Sequence, residues 1–404
     1  MPYEIQLPDN KSLQIRKMLV DFVHKGVILP VTESDAHDVH VVRRALCAIR
    51  VTPSQHSPTV IDVEDCGAAY RFLMPQLAAT KGVWLLTGTP RLLQRPIEPL
   101  VSVLQDIGAD IRRVENGWFI LGKSLPSSVE TMCTTSLHQR ENDQGTHCGL
   151  SLAIDASQSS QMASALVLAA PLLNLKTLRL VTTDIPSLSY LKMTLACTRN
   201  WPVTIPGVSV PNTPVGLPGD WSAALFWFAY ACLHPGEHLS LHPLSLNSIQ
   251  SDSIISQWFK MLGIVTETNH SSVIIQAPPL NSMPKLLLDV CDNLDTVPVM
   301  AALAALLPAD ITFQNVRNLQ FKESDRLHAL ASQLSLYADI ELTDNMLRVI
   351  GRGKVTVGKP IFDTCHDHRL AMAFLLFGPS AILNDTDCLR KSYPELLPQL
   401  VKIQ

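Results

Sequence analysis

"LHALASQLSLYADIELTDNMLRVIG", residues 327–351, changes its hydrophobic period half-way along. Leu327, Leu330, Ala331 and Leu334 stand at i, i+3, i+4 and i+7, the spacing of one helical face. After a short break the apolar residues alternate or turn β-branched, which predicts strand. The same plan, helix-period run, break, then strand, recurs in "PLVSVLQDIGADIRRV" (99–114) and "IISQWFKMLGIVTETNHSSVIIQA" (254–277). It is weaker in "VVRRALCAIRV" (41–51) and "YLKMTLACTRNWPVTI" (190–205). Leu100, Leu191, Ile254 and Leu327 mark corresponding helical positions, so a unit of roughly 60 to 90 residues is used repeatedly. Helices alternating with strands predict an α/β architecture, and so long a period excludes tight helical solenoids.

A chain of 404 residues exceeds what one core normally serves, so two domains of roughly 200 residues are expected. The stretch "IPGVSVPNTPVGLPGD" (205–220) interrupts both periodicities and is the expected linker. Apolar residues make up 47% and charged ones only 17%; that balance excludes disorder and gives the charges that do cluster more weight. The net charge of -4 argues against a general nucleic-acid binder. Nine cysteines, at 47, 66, 133, 148, 197, 232, 291, 365 and 388, include no Cys-x-x-Cys pair or zinc spacing, so free thiols in a reduced compartment, and no metal, are expected. The longest apolar runs fall short of the roughly 18 residues of a membrane span, and the start of the chain lacks leader character. A cytoplasmic protein is expected.

The charges gather where strand gives way to helix. In "NLQFKESDRLHALASQL" the group Lys322–Arg326 fills such a turn; Glu323 and Asp325 there are natural partners for a helix dipole, with Arg326 pairing to Glu323 at i, i+3. "DTCHDHRLAMAFLLFG" lets Asp367 cap a helix but puts His368 and Arg369 in its first turn. Cations oppose the dipole at that end, and a bound anion would give them a reason to be there. "DASQSSQMASALVLAAPLL" sets Ser157, Ser159, Ser160 and Gln161 ahead of another helix, where one hydroxyl suffices as a cap. "LPDNKSLQIRKMLVDFV" offers Lys11, Ser12 and Arg16. "TGTPRLLQRPIEPLVSVL" offers Arg91 and Arg95, with Pro96 expected in the first helical turn; "LRKSYPELLPQL" offers Arg390 and Lys391. "GWFILGKS" (117–124) matches the P-loop pattern letter for letter, yet its interior is strand sequence, and "IRRV" and "WFIL" read as a hairpin about "ENG". Nucleotide binding there is excluded.

Together these turns resemble the 5-enolpyruvylshikimate-3-phosphate synthase family, from "LPDNKS" to "KSYPELLPQL", most specifically in "RPIEPLV", "KESDRL", "DHRLAM" and "KSYP". The resemblance implies a two-domain inside-out α/β barrel, the enolpyruvyl transferase fold, with three β-α-β-α-β-β repeats per domain. One domain would comprise 1–9 plus 219–404 and the other 10–218. It implies transfer of the carboxyvinyl group of phosphoenolpyruvate to the 5-hydroxyl of shikimate 3-phosphate, on the shikimate pathway to chorismate and aromatic amino acids. The partners are those two small polyanions, without cofactor, nucleic acid or membrane, and the protein is expected to act as a monomer.

By the same resemblance, phosphoenolpyruvate would be bound by Lys11, Gly67, Arg71, Arg95, Gln161, Arg326, Arg369 and Lys391. Shikimate 3-phosphate would be held by Lys11, Ser12, Arg16, Ser159, Ser160, Gln161, Ser187, Tyr190, Asp295, Asn318 and Lys322. Asp295, Glu323, Lys11 and His368 would carry the catalysis, with Glu323 moving the proton at the methylene carbon and clustered cations favouring ionised carboxylates. Two departures stand out: "DCGAAYR" has Asp65 and Ala68 where the family usually has Asn and Thr, and Leu294 replaces a common proline before Asp295. A carboxylate at 65 is expected to weaken anion binding unless a cation pairs with it; Gly67 resembles the glyphosate-sensitive class. The rival readings are an impaired homologue that only binds shikimate 3-phosphate, and a UDP-N-acetylglucosamine enolpyruvyl transferase. The latter usually carries a cysteine where this chain has Pro90.

Overall fold

The computed structural model describes residues 2–51, 57–123, 149–213, 215–216, 219–269, 271–279, 283–353 and 358–403. The chain forms two compact units, the first from Met1–Gln14, Val31–His40 and Thr213–Gln404, the second from Ile15–Pro30 and Val41–Asn212. Residues 10–14 and 31–40, inside the expected inserted piece, thus group with the first unit. The helices Lys11–Lys25 and His37–Arg50 each begin in the first unit and end in the second.

The three stretches with the clearest change of period each fold into a helix followed by an antiparallel hairpin. They are Glu98–Asp106 with Asp110–Val114 and Gly117–Gly122, Ile255–Met261 with Val265–Asn269 and Ser272–Gln276, and Arg326–Leu334 with Ala338–Thr343 and Met346–Gly351. In each case the second hairpin strand also pairs antiparallel with an earlier strand, which pairs parallel with one more. The result is one four-stranded sheet built three times. Two copies lie in the first unit, with outer strands Tyr3–Gln6 and Lys285–Asp289, and one lies in the second, starting at Thr59–Asp62. The "GWFIL" strand pairs on both sides within its sheet, which leaves no phosphate-wrapping loop there; Ser124 lies outside the described residues.

The weaker stretches yield the helices His37–Arg50 and Leu188–Cys197 with no hairpin after them; Thr204 makes a single bridge to Thr177. Two-stranded parallel pairs complete the set, Ile361–Phe362 with Ile382–Leu383 in the first unit and Leu150–Ile154 with Leu175–Leu180 in the second. Among the described residues the first unit therefore has three sheets and the second two, where three repeats were expected in each.

Helices buried on every side form the middle of each unit, and the sheets face outward. In the first unit these are Trp221–Leu233 and Val297–Leu306; in the second, Gly67–Ala79 and Ser160–Leu168. A helix apolar all round must be enclosed on all sides, which holds for Trp221–Leu233 and Val297–Leu306; Gly67–Ala79 buries Arg71 and Gln76 along with its apolar residues. The chain is back in the first unit from Thr213; farther along, Gly219 bridges Asp9, and a Cβ there would strike the Pro243 carbonyl. Pro214, Leu217 and Pro218 of the expected linker lie outside the described residues. Among those described, no helix is long and apolar enough to cross a membrane, no cluster could hold a metal ion, and Cys47, Cys66, Cys197, Cys232, Cys291, Cys365 and Cys388 are free thiols. Cys133 and Cys148 fall outside.

Candidate active site

The strand Asp310–Gln314 leads through a 3-10 turn, Arg317–Phe321, into "KESDRL". Asp325 does what a helix cap should: it accepts from the His328 amide at 3.1 Å, in an exposed position. Its neighbours do something else. Arg326 is 1% exposed, and its guanidinium donates from Nε to Asp367 at 2.7 Å, from Nη1 to Asp295 at 2.7 Å, and from Nη2 to Glu323 at 2.8 Å and Asp367 at 3.1 Å. Burial works against that charge, but Asp367, Glu323 and Asp295 outweigh it and raise the Arg326 pKa. Three carboxylates from three separate segments are thereby fixed on one planar cation.

Asp295 arrives on the turn Leu294–Thr296 at the head of the buried helix Val297–Leu306. Burial pushes its pKa up, yet Lys322, at 3.1 Å, with Arg326 and Arg369 holds it well below the usual carboxylate range. Asn318 is half-buried in the turn just ahead of Lys322. Glu323 also lies 3.7 Å from the buried Lys391 Nζ. Lys11 pairs with Asp38 at 2.9 Å and donates to the Lys391 carbonyl at 3.4 Å. Burial raises the Asp38 pKa, but Lys11 and Lys391 bring it below normal. Ser12 follows Lys11, half-buried on the same helix.

Asp367 caps the helix His368–Leu375 through the Arg369 amide at 2.9 Å, and also accepts from Ser324 at 2.9 Å. The expected conflict between two cations and the helix dipole therefore takes a different form. Burial first, then the charges of Lys11 and Arg369, push the His368 pKa well below 6.5, so its ring is neutral at neutral pH. Arg369 is buried and donates to the Ser222 carbonyl at 3.2 Å. Lys11, Lys322, Arg326, Arg369 and Lys391 thus face Asp38, Asp295, Glu323 and Asp367 within the first unit.

The second unit has its own arrangement. Arg71, on the helix Gly67–Ala79 and 1% exposed, donates from Nε and Nη2 to the Pro96 carbonyl at 3.1 and 2.8 Å, and from Nη1 to the Gly67 carbonyl at 3.3 Å and Gln161 Oε1 at 3.0 Å. Pro96 precedes its helix rather than entering the first turn, because Ile97 is the N-cap and Pro99 takes the early helical position. Arg95 lies close against Gly67: a Cβ on that glycine would sit 2.5 Å from Arg95 Nη1. Asp65 is half-buried, directly before Cys66, whose Sγ caps the same helix. Ser159 caps the helix Ser160–Leu168 through the Gln161 amide at 3.3 Å, and Ser160 is buried beside it. Ser187 stands in left-handed backbone (φ 58°), a strained setting for serine, ahead of Tyr190. Arg16 is buried, bonded to Thr194 Oγ1 at 2.7 Å and the Tyr190 carbonyl at 3.2 Å, and stacked over Phe72 and Tyr190; burial lowers its pKa to about 10.

The structure thus gathers the sequence-derived residues into two sets. The first unit brings together Lys11, Asp295, Glu323, Lys322, Arg326, His368, Arg369 and Lys391, and the second Gly67, Arg71, Arg95 and Gln161. Arg91 and Arg390 are exposed. Asp38, Asp367 as the main grip on Arg326, and the Ser222 carbonyl were not visible in the sequence. Asp367 reads as an ordinary helix cap, nothing in the local pattern singles out Asp38, and a backbone acceptor leaves no trace in side-chain pattern.

A family model described as EPSP synthase (3-phosphoshikimate 1-carboxyvinyltransferase) matches residues 31–400. The chain is 29% identical over 405 residues to the 3-phosphoshikimate 1-carboxyvinyltransferase of Bacteroides fragilis (strain ATCC 25285), covering 96% of this chain and 92% of that one. It is 26% identical over 434 residues to the protein of that name from Photobacterium damsela subsp. piscicida, covering 99% and 96%. In fold it is similar to EPSP synthase from Acinetobacter baumannii, with TM-score 0.68 and 18% identity over 99% and 96% of the chains. It is also similar to the enolpyruvyl transferase NikO from Streptomyces tendae, with TM-score 0.60 and 15% identity over 100% and 94%.

Proposed function

The chain belongs to the EPSP synthase family, and from that premise we propose that it transfers the carboxyvinyl group of phosphoenolpyruvate to the 5-hydroxyl of shikimate 3-phosphate, releasing phosphate. The observation that carries this reading is the Arg326 cluster, which holds Asp295 and Glu323 in fixed orientation amid Lys11, Lys322, Arg369 and Lys391. Such a group suits polyanionic substrates and proton transfer alike.

In the first half of the reaction the 5-hydroxyl oxygen bonds to C2 of phosphoenolpyruvate as its proton leaves and C3 gains one, giving a tetrahedral adduct. In the second half C3 loses a proton and the C2–O bond to phosphate breaks. Glu323 is assigned the proton at C3, since its carboxylate is held by Arg326 while Lys391 lies 3.7 Å away. Asp295, kept ionised by its cations, is assigned to the shikimate ring hydroxyls. His368, uncharged and buried, serves as a neutral partner beside Lys11.

Phosphoenolpyruvate is assigned Lys11, Arg326, Arg369 and Lys391 from the first unit and Gly67, Arg71, Arg95 and Gln161 from the second. Of Arg326, one Nη1 hydrogen is not used on the three carboxylates, so its main work is to hold them. Shikimate 3-phosphate is assigned Lys11, Ser12, Asp295, Asn318 and Lys322, with Arg16, Ser159, Ser160, Gln161, Ser187 and Tyr190. Arg16, bonded to Thr194 and Tyr190, acts there chiefly by holding Tyr190 in place. A cytoplasmic monomer whose chain crosses between domains near Asp9 and Gly219 belongs to the same proposal, and the bridge between those residues supports the crossing points. Phosphate release from purified protein is expected only when both substrates are present; no release with both would overturn the reading.

A further inference from the structure

The buried helix Trp221–Leu233 is apolar along its length except at its N-terminal end, where polar groups are packed away from water. Asp252 is 0% exposed, and Ser222, Gln250, Asn10, Asp220 and Asn293 around it are 7% exposed or less. Asp252 accepts from the Ser222 hydroxyl on one oxygen and from Asn293 Nδ2, at 3.1 Å, on the other. Gln250 Nε2 donates to Ser222 Oγ at 3.0 Å and to Asp220 at 2.7 Å, while its Oε1 accepts from Asn10 Nδ2 at 2.6 Å. Asn10 in turn caps the start of the helix that begins at Lys11, through the Leu13 amide at 3.0 Å.

Three branches of this network end at site segments. Asn293 directly precedes the turn Leu294–Thr296 that carries Asp295, and its carbonyl accepts from Thr296 Oγ1 at 2.7 Å. Ser222 supplies the carbonyl that receives Arg369. Asn10 precedes Lys11. A buried carboxylate held by neutral donors is costly, but only a carboxylate offers an acceptor oxygen to each donor, whereas an amide would turn its own NH2 against one of them.

Resting on the carboxyvinyl-transfer reading, we propose that Asp252 is a positioning residue for that reaction: through Asn293 it fixes the turn that presents Asp295, and through Ser222 the carbonyl that anchors Arg369. Burial first, then the charge of Asp295, raises the Asp252 pKa to about 6, with Arg369 pulling the other way. The charged groups facing it are Asp295 and Arg369, with Asp220 one Gln250 amide away. Its ionisation is therefore coupled to the residues it positions.

The test compares Asp252→Asn, Asn293→Ala and the double variant with wild type by phosphate release, thermal melting and crystal structure. Each single variant is expected to lower kcat about 10-fold, and the double to lower it no further, because both cut one chain of bonds. An inflexion of kcat near pH 6 is expected to disappear in Asp252→Asn, which a purely structural role would not produce. In the variant crystals the Asp295 carboxylate is expected to leave its 2.7 Å contact with Arg326. Folded variants with kcat within twofold of wild type and that contact intact would overturn the inference. If Asp252→Asn does not fold, Asn293→Ala decides alone. A wild-type protein without phosphate release would sink the transfer reading instead, and the crystal comparison would still decide whether Asp252 positions Asp295.

Discussion

Arg326 and Arg71 are equally buried, but Arg326 donates four hydrogen bonds to carboxylates, while Arg71 donates to the carbonyl oxygens of Pro96, Gly67 and the Gln161 side chain. The acceptors decide what each guanidinium is for. Carboxylates cancel the Arg326 charge and in exchange are themselves oriented, so the first unit holds ready groups that can move or steer protons. Carbonyls carry no formal charge, so those bonds fix the Arg71 plane without themselves offsetting its charge, which suits the anion site proposed for it. Removing Arg326 would strand several carboxylates, a loss of roughly 3–5 kcal/mol for a broken buried ion pair. Removing Arg71 would leave carbonyls unsatisfied, at about 1–3 kcal/mol each.

If the carboxylate side governs turnover, the largest effect comes from changing one carboxylate without breaking the cluster. Glu323→Gln keeps an oxygen for Arg326 and the side-chain volume, and loses the proton-transfer group. Steady-state kinetics should show kcat reduced about 10³-fold with KM for either substrate changed little. Unchanged turnover would remove Glu323 from the chemistry and reduce the first-unit cluster to a binding surface like its counterpart.

The carbonyl side should respond in KM. A methyl group at position 67 falls 2.5 Å from Arg95 Nη1 and 2.9 Å from its Cζ, closer than van der Waals contact permits, so Gly67→Ala must shift the guanidinium. The far end of an arginine moves cheaply, and the fold should survive. The expected result is a KM for phosphoenolpyruvate raised about 10-fold, with kcat within about twofold of wild type. A fall in kcat at constant KM would contradict the division of labour between the units.

How far the sequence revealed these features depended on periodicity and chain distance. The three stretches with a clean change of period became the three four-stranded sheets, because a helical face and a strand face each specify one partner surface. Residues 41–51 and 190–205 had the helix pattern without a convincing strand, and no hairpin formed there. In the site, Lys322–Arg326 stood out as charge crowded into a turn, and the Arg326–Glu323 pair followed from helical spacing. The grip of Asp367 and Asp295 on the same arginine joins segments 41 and 31 residues apart, and local pattern is silent at such a range. The cation-at-a-dipole puzzle at His368 was posed correctly but assumed a charged ring; burial and neighbouring cations, both tertiary effects, remove that charge.

His368 also allows the smallest of these tests, one on stability. Its pKa is lowered on folding, so above the ordinary value of 6.5 neither state binds the proton and pH has no effect through this group. As pH falls below 6.5 the unfolded chain takes up the proton first, and stability is progressively lost toward the lower folded-state value. Asp295 and Asp38, also lowered, lose their contributions only in the more acidic carboxylate range. Asp252, raised to about 6 by burial, also titrates between pH 7.5 and pH 5.0, so the share of His368 is read from the difference between wild type and a His368 variant melted at both. Between these conditions His368→Gln should show a drop in Tm smaller than wild type by a few degrees, because the glutamine has no proton to gain. An equal drop in both proteins would mean that the acid sensitivity arises elsewhere, and that the cations around Glu323 do not hold the ring neutral.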